Sequence, residues 1–300
     1  MRTASICLNL ASHMKGFHSK AEAQAQRKMA PPGYASASTA LDSHSQLTTR
    51  GEVAPTVTPP NQKLTLRDQL FLLGHNDDSG RCRLRTPALA VGLAGASAIQ
   101  LFLAGRLTVV QPSTAEDASL LLYTRAGASI ADPISCQAFA SIAGAQTPPQ
   151  LSSWLCDFSL GLYARVRGHL VSIGVLRESV KSHCGGVFQT RRWLATHPRW
   201  TVVTRARLCY LAQGREVPDN YTAALAGLVA ALGLVTHLYL DDDAASLPKR
   251  LTSVADGHHP EVRAITSAVQ RNAFNLGQSA RRLATSVKAR NQPRLPTPSR

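Results

Sequence analysis

Two long uncharged segments place the strongest constraint on the fold of this sequence. Residues 86–105 and 221–240 are dominated by Ala, Leu and Gly. At a rise of about 1.5 Å per residue, about 20 helical residues would span the ~30 Å hydrocarbon core of a bilayer. Ala and Gly insert less readily than Leu or Ile, however, and the segments contain Gln100 and His237. We therefore predict that both segments are buried core helices of a globular domain.

The ordered domain is predicted to begin just before the first of these segments. KLTLRDQLFLLG (63–74) pairs Thr65 with Asp68, which approximates a helix capping box, and its leucines follow at helical spacing. Gly74 is expected to end this helix. Residues 1–62 are rich in Ala, Ser, Thr, Gln and Pro, so they bury too little apolar surface to offset the entropy of ordering the chain. This segment is predicted to be a disordered leader.

The rest of the chain alternates helical patterns with short strand-like ones. RLTVV and SLLLY read as short strands, and residues 149–176 form one long amphipathic helical pattern that ends at Gly174. RESVKSHCGGVFQTRRW has the pattern of a hairpin with Gly185-Gly186 at its turn. The predicted fold class is mainly α, with a single globular helical domain at residues 63–290, a few short β hairpins, and a disordered basic tail at 291–300.

Three arginines occupy alternate positions just before the first apolar segment. In GRCRLRTPALAVGLAG (80–95) these are Arg81, Arg83 and Arg85. RCRLR is predicted to be a short strand, on which the three side chains would share one face. Like charges in such an arrangement repel, so the face either meets open water or meets an anion. Arginine suits phosphate because its planar guanidinium donates two parallel hydrogen bonds. Both interpretations remain open from the sequence.

The net charge of +15 favours an acidic partner: nucleic acid, an anionic membrane surface or an acidic protein. Residues 249–300 hold ten Lys and Arg against two Asp and Glu, so +8 of this charge lies in the last sixth of the chain. EVRAITSAVQRNAFNLGQSARRLATSV (261–287) is a basic amphipathic helix candidate. It either lies at a membrane interface or docks on the domain by its apolar face, and we favour docking.

Catalytic and metal-binding patterns are weak. No phosphate-binding loop, dinucleotide fingerprint or zinc-protease motif occurs. Asp241-Asp242-Asp243 has ligand chemistry but directly follows an apolar helix, where it is expected to mark the helix end. The six cysteines scatter without a C-x-x-C pair, which is typical of reduced thiols in a cytosolic compartment. We therefore predict no catalytic site, no metal, no cofactor and no enzymatic activity.

The order of these elements resembles the Golgi phosphoprotein 3 family of phosphoinositide-binding peripheral membrane proteins, and most closely its bacterial branch. The segments that carry the resemblance are LTLRDQLFLLG, GLAGASAIQLFLAGRL, GVLR…TRRWLATHP and DNYTAALAGLVAALGL, within residues 63–290. The resemblance implies a mostly helical, non-enzymatic domain that binds the phosphatidylinositol 4-phosphate headgroup. It also implies a cytoplasmic protein, peripheral on the cytoplasmic face of a membrane: the Golgi in a eukaryote, the plasma membrane in a bacterium.

The resemblance also implies which residues of this chain occupy the positions of the family's headgroup site. The family's headgroup site uses a tryptophan and three basic residues, and these positions fall on Arg85, Ala94, Leu160 and Tyr163, so all four depart from the family pattern. The lipid-binding candidates in this chain are therefore Arg81, Arg83 and Arg85, with Arg165 and Arg167 close to the family's basic helical positions.

The family's hairpin supports oligomer contacts, and the corresponding stretch here contains Arg191, Arg192 and Trp193. A homo-oligomer is therefore a possible assembly. The alternative functions are nucleic-acid binding, with tryptophans stacking on bases, and an oligomeric scaffold without specific lipid recognition. Nucleic acid is the less favoured partner, because residues 63–248 carry a net charge of only +4 and contain no recognisable nucleic-acid motif.

Overall fold

A computed structural model describes most of the chain. The predicted leader (1–62), the predicted tail (291–300), the Gly185-Gly186 turn and Asp241–Asp243 all lie outside the described residues. The described residues are 64–112, 119–183, 188–238, 246–257 and 259–290, of which 181–183, 188–190 and 279–290 are described by their backbone alone.

Ten helices and four short strands form the described part of the chain, so the prediction of a mainly α fold with short hairpins is confirmed. β1 pairs with β2 and β3 pairs with β4, each as an isolated antiparallel two-stranded sheet. The elements are α1 (Leu66–Leu73), α2 (Thr86–Leu103), β1 (Leu107–Val110), β2 (Leu121–Thr124), α3 (Pro133–Ala143), α4 (Leu151–Ser159), α5 (Leu162–Ser172), β3 (Leu176–His183), β4 (Phe188–Ala195), α6 (Arg199–Ala212), α7 (Asn220–Ala231), α8 (Val235–Leu238), α9 (Leu247–Asp256) and α10 (Pro260–Arg290).

Helix α2 is the centre of the core, as its composition predicts. Twelve of its 18 residues are buried, and it packs against α1, α3, α4, α5, α7 and α10. By length and composition alone it could span a bilayer, but its burial among other helices identifies it as a core helix. Its glycines allow close helix contacts: a methyl group on Gly92 would lie 2.5 Å from Leu232 Cδ1, and one on Gly95 would collide with Val269 of α10.

The second apolar segment is also a core element, but not one continuous helix. Asp219 caps α7 by accepting a 2.6 Å hydrogen bond from the Thr222 amide. The helix then ends, and Gly233, with φ 66°, turns the chain into the short helix α8. The prediction of a single helix over residues 221–240 is therefore wrong, because a left-handed residue interrupts the apolar run.

The predicted capping box is present at the start of α1. The Asp68 amide donates to Thr65 Oγ1 at 3.2 Å, and the Thr65 amide donates back to Asp68 Oδ2 at 3.2 Å. Between them Arg67 is fully buried and donates two hydrogen bonds, of 2.8 and 3.0 Å, to the carboxylate of Asp132, the N-cap of α3. A bidentate, partly buried ion pair therefore ties α1 to α3.

The amphipathic pattern at 149–176 forms two helices, so the prediction of one long helix is wrong. α4 ends at Ser159, and Gly161, with φ 70°, redirects the chain into α5. The periodicity of the apolar residues does not report such a break, because both helices bury apolar side chains in the same core. The second helix ends as expected near Gly174: its last residue is Ser172, and Ile173 is the C-cap.

The C-terminal helix docks on the domain along its first half. Val262, Ile265 and Val269 of α10 are buried in the core, chiefly against α2. Arg263 and Arg271 remain exposed on the other side. The favoured prediction, docking by the apolar face, is therefore confirmed for this half of the helix.

Candidate functional site

The three alternate arginines lie on an irregular corner between α1 and α2, which we call the basic corner (Arg81, Arg83, Arg85). The prediction of a strand here is wrong: Cys82 forms an isolated bridge to His75, and Arg85 is already the N-cap of α2. With only that one bridge, the alternating backbone is not held in a strand. The three arginine side chains are therefore not arranged on one face of a strand, as the prediction required.

The three arginines have different surroundings. Arg81 and Arg85 are exposed, whereas Arg83 is partly buried. Arg83 donates from Nε to the His75 carbonyl at 3.0 Å and from one terminal nitrogen to the His237 carbonyl at 2.8 Å. Arg83 thus ties the corner to α8, and the other two guanidinium groups face solvent.

A fourth arginine, Arg205 of α6, adds positive charge beside Arg83. Burial and the neighbouring Arg205 charge lower the pKa of Arg83, while Asp77 and Asp78 act in the opposite direction. Arg205 forms a 2.6 Å ion pair with Asp77, on the loop that leads into the corner. The sequence gives no signal for this neighbour, because only the packing of α6 against α1 brings it there.

His75 forms the buried floor of the corner. Its Nδ1 lies 2.6 Å from the Phe71 carbonyl, which only accepts, so Nδ1 donates and Nε2 of the neutral ring accepts from the Tyr163 hydroxyl at 2.8 Å. Burial lowers the pKa of His75; the Phe71 hydrogen bond raises it and the Arg83 charge lowers it further. The His75 carbonyl also accepts a hydrogen bond from Arg83, so this network stabilises the corner from its buried side.

The β3–β4 hairpin packs against the same corner. Gly80 has φ 63°, and a methyl group there would lie 2.6 Å from the Trp193 carbonyl oxygen of β4. The Arg167 guanidinium stacks on the Trp193 ring at 4.0 Å and lies 5.9 Å from the Tyr163 ring. Of the two helical candidates, Arg167 therefore lies beside the corner and acts as a link to the hairpin.

Arg165, two residues away on α5, points to a different part of the surface. Its guanidinium lies 5.0 Å from the centre of the Phe158 ring and donates to Gln137 Oε1 at 2.9 Å and to the Phe158 carbonyl at 3.0 Å. Helical residues at i and i+2 do not share a face, so the structure separates Arg165 from Arg167.

The hairpin candidates are divided between two faces of β4. Arg191 and Trp193 alternate with Arg192 along the strand, so Arg192 projects to the opposite side. Arg191 makes an exposed 3.5 Å ion pair with Glu178. Only Trp193 of these three contacts the neighbourhood of the basic corner, through Gly80 and Arg167.

The four positions implied by the family site do not form one cationic cluster. Ala94 is 0% exposed in the middle of α2, and Leu160 is 74% exposed at the break between α4 and α5. Tyr163 is bonded to His75, and Arg85 alone supplies a charge. Of these four positions only Arg85, a member of the basic corner, is therefore chemically suited to bind an anion.

Two other kinds of site receive little support in the described residues. No group of three His, Cys, Asp or Glu side chains there is placed to hold a metal ion. A cavity of about 680 Å³ lies between α1, α2, α6 and α7. Its charged lining residues neutralise each other, because Arg207 donates to Asp219 at 3.1 Å. The cavity therefore presents no net charge to a ligand.

Comparison with known protein families identifies one family for residues 66–272. A comparison with curated proteins finds no match. A family model described as Golgi phosphoprotein 3 (GPP34) matches residues 66–272, more than two thirds of the chain. The matched residues run from the first residue of α1 into α10 and include the basic corner and the hairpin. The chain therefore belongs to the Golgi phosphoprotein 3 family.

Proposed function

We propose that this chain is a peripheral membrane protein that binds anionic phospholipid headgroups at the basic corner. The observation that carries the proposal is the charge of this corner: within the described part of the chain, none of its three arginines forms an ion pair, and Arg81 and Arg85 are exposed. Membership of the family is consistent with a lipid-associated protein, and the family is not known as one of enzymes.

The start of α2 adds to the attraction for a phosphate. The first amides of a helix have no partner inside it, and the helix dipole makes this end positive. Arg85 occupies the N-cap and makes no side-chain capping bond, and Pro87 has no amide, so the amides of Thr86 and Ala88 are the donors at this end of the helix. Arg83, held by two carbonyls, positions the loop that leads into this helix.

Phosphatidylinositol 4-phosphate is the headgroup we propose by resemblance to the family. Its phosphomonoester carries more negative charge than a phosphodiester and offers oxygens to a guanidinium fork. The proposed site differs from the family pattern in using Arg81, Arg83 and Arg85 together with Arg205. The proposed location is the cytoplasmic face of a membrane.

Flotation of the purified protein with vesicles tests this function. Neutral phosphatidylcholine vesicles are compared with vesicles that also contain phosphatidylserine or phosphatidylinositol 4-phosphate, each across a salt series. Selective and salt-resistant binding to the phosphoinositide supports a headgroup site. Equal binding to both anionic membranes, lost with salt, supports a basic surface without lipid selectivity. No binding to any vesicle, together with binding to nucleic acid, overturns the proposal.

A further inference from the structure

Helix α10 continues well past the region that this chain shares with its family. The family match ends at residue 272, whereas α10 runs to Arg290. We call residues 273–290 the helical extension. Its 18 residues add about 27 Å of helix. Nothing in the proposed function of the corner uses this part of the chain.

The apolar stripe of α10 continues in the sequence of the extension. In the docked half, Val262, Ile265 and Val269 are buried, and Val269 is 0% exposed. Further along, apolar residues recur at intervals of three and four, as one helix face requires. They are Leu276, Ala280, Leu283 and Val287.

The described start of the extension already presents apolar side chains to solvent. Leu276 is 37% exposed and Phe274 is 64% exposed, whereas Val269, two turns before Leu276, is buried. Leu276 thus begins the continuing apolar stripe with an exposed side chain, which indicates a face that another apolar surface covers. Phe274, two positions before Leu276, lies off this stripe.

The charge of the extension indicates which surface this is. It contains Arg281, Arg282, Lys288 and Arg290, and residues 262–300 contain no Asp or Glu. A helix that combines an apolar stripe with Lys and Arg is typical of helices that lie in the interface of an anionic membrane. Nucleic acid would use the charges but leaves the apolar stripe without a role.

We propose that the helical extension lies on an anionic membrane surface and is a second lipid contact, separate from the basic corner. The proposal rests on the proposed function only in placing the protein at a membrane. The extension would act without a headgroup pocket: its apolar stripe inserts between lipids, and its four cations remain at the phosphates. Each cation near an anionic leaflet strengthens binding by roughly fivefold.

The test uses three full-length variants and vesicles of phosphatidylcholine with phosphatidylserine. The first variant changes the charges (Arg281→Gln, Arg282→Gln, Lys288→Gln, Arg290→Gln), and the second changes the stripe (Leu283→Asp, Val287→Asp). The third, Arg81→Gln with Arg85→Gln, alters the corner alone. All three sets of positions are exposed or lie beyond the docked half of α10, so circular dichroism and thermal unfolding are expected to match the parent.

The expected result is a loss of vesicle affinity of at least tenfold in the charge variant and a clear loss in the stripe variant. Leu276→Trp, on the stripe itself, supplies a second readout, because the emission of the introduced tryptophan shifts to the blue when it enters the interface. If the parent and the corner variant differ but both extension variants bind like the parent, this proposal is overturned while the proposed function stands. If the parent does not bind these phosphatidylserine vesicles, this proposal is also overturned, and the phosphoinositide vesicles of the flotation experiment decide the proposed function.

Two further outcomes contradict the membrane assignment in favour of another partner. If the stripe variant changes the mass of the protein in solution and leaves vesicle binding intact, the face belongs to a second copy of this chain. If the charge variant loses affinity for nucleic acid and keeps its affinity for vesicles, the extension binds nucleic acid.

Discussion

The Arg167 guanidinium lies 4.0 Å from the centre of the Trp193 ring, and this contact joins α5 to the β3–β4 hairpin. The carbonyl of the same tryptophan lies against Gly80, next to the basic corner. The hairpin and the corner therefore contact each other at Gly80. A change in the orientation of the hairpin is expected to move the corner through this contact.

Removing the Arg167 charge is predicted to loosen the hairpin. Arg167→Leu keeps an apolar side chain at this position but loses the cation–π contact, which is worth about 0.5–1 kcal/mol at a partly exposed site. Amide hydrogen exchange in β3 and β4 should accelerate, and the free energy of unfolding should fall by about that amount. The control is Arg177→Leu, an exposed position on β3. Equal exchange rates in both variants would show that the contact does not hold the hairpin.

Close packing of α2 on α10 predicts a specific cost for a small substitution. Gly95→Ala places a methyl group against Val269, so it should destabilise the fold by about 1–3 kcal/mol despite the better helix propensity of alanine. Adding Val269→Ala makes room for the methyl group and should recover part of the loss in a double-mutant cycle. Purely additive effects of the two changes, measured by urea unfolding, would contradict this packing.

The Arg67–Asp132 pair predicts a loss of stability in acid. Burial raises the pKa of Asp132, but hydrogen bonds from Arg67 and Ser135 and the Arg67 charge outweigh it and lower the value to about 2. The pair therefore stabilises the fold fully above the ordinary value of 3.8 and loses about 2 kcal/mol as the pH falls toward 2. Asp132→Asn should be less stable near neutral pH and should lack this part of the acid dependence. If the free energies of unfolding of the two proteins fall in parallel as the pH drops toward 2, the Arg67–Asp132 pair is not the cause of the acid dependence.

His75 predicts a second pH dependence in a higher range. Its pKa lies below the ordinary 6.5, chiefly because of burial, so the folded state favours the neutral ring. The unfolded chain takes up the proton first, and stability should fall as the pH drops below about 6.5. His75→Gln removes the titrating ring, so its free energy of unfolding should change less between about pH 7 and pH 5 than that of the parent. A larger change in the variant would contradict a neutral, buried His75.

Local features of the fold were predictable from the sequence, and contacts between distant elements were not. The capping box of α1 depends on Thr65 and Asp68, three residues apart, and both the motif and its hydrogen bonds were expected. The break at Gly161 was missed because the apolar periodicity runs through it, and only a positive φ marks the turn. The corner arginines alternate as in a strand, but a strand requires a partner that the sequence does not indicate.

In the candidate site, too, local features were predictable from the sequence and contacts between distant elements were not. Arg81 and Arg85 were identified from their spacing alone, and both are exposed beside α2. Arg205 reaches the corner only because α6 packs on α1, so no local pattern points to it. Arg165 and Arg167 are close in sequence but face different neighbours, since helix geometry separates residues two positions apart.

The most direct test of the central claim is the affinity of a corner variant for anionic vesicles, compared with a variant of equal charge. Arg81→Gln with Arg85→Gln removes the two exposed corner cations. Arg125→Gln with Arg215→Gln removes two exposed cations elsewhere. Arg125 lies at the other end of α2, since its amide donates to the Arg106 carbonyl, and α2 is about 27 Å long.

At about 1 kcal/mol per cation near an anionic leaflet, the corner variant should bind phosphatidylinositol 4-phosphate vesicles roughly 25-fold more weakly than the parent. The control variant should stay within a few-fold of the parent. Equal losses in the two variants would mean that net charge, and not the corner, attracts the membrane. Unchanged binding of the corner variant would contradict the account.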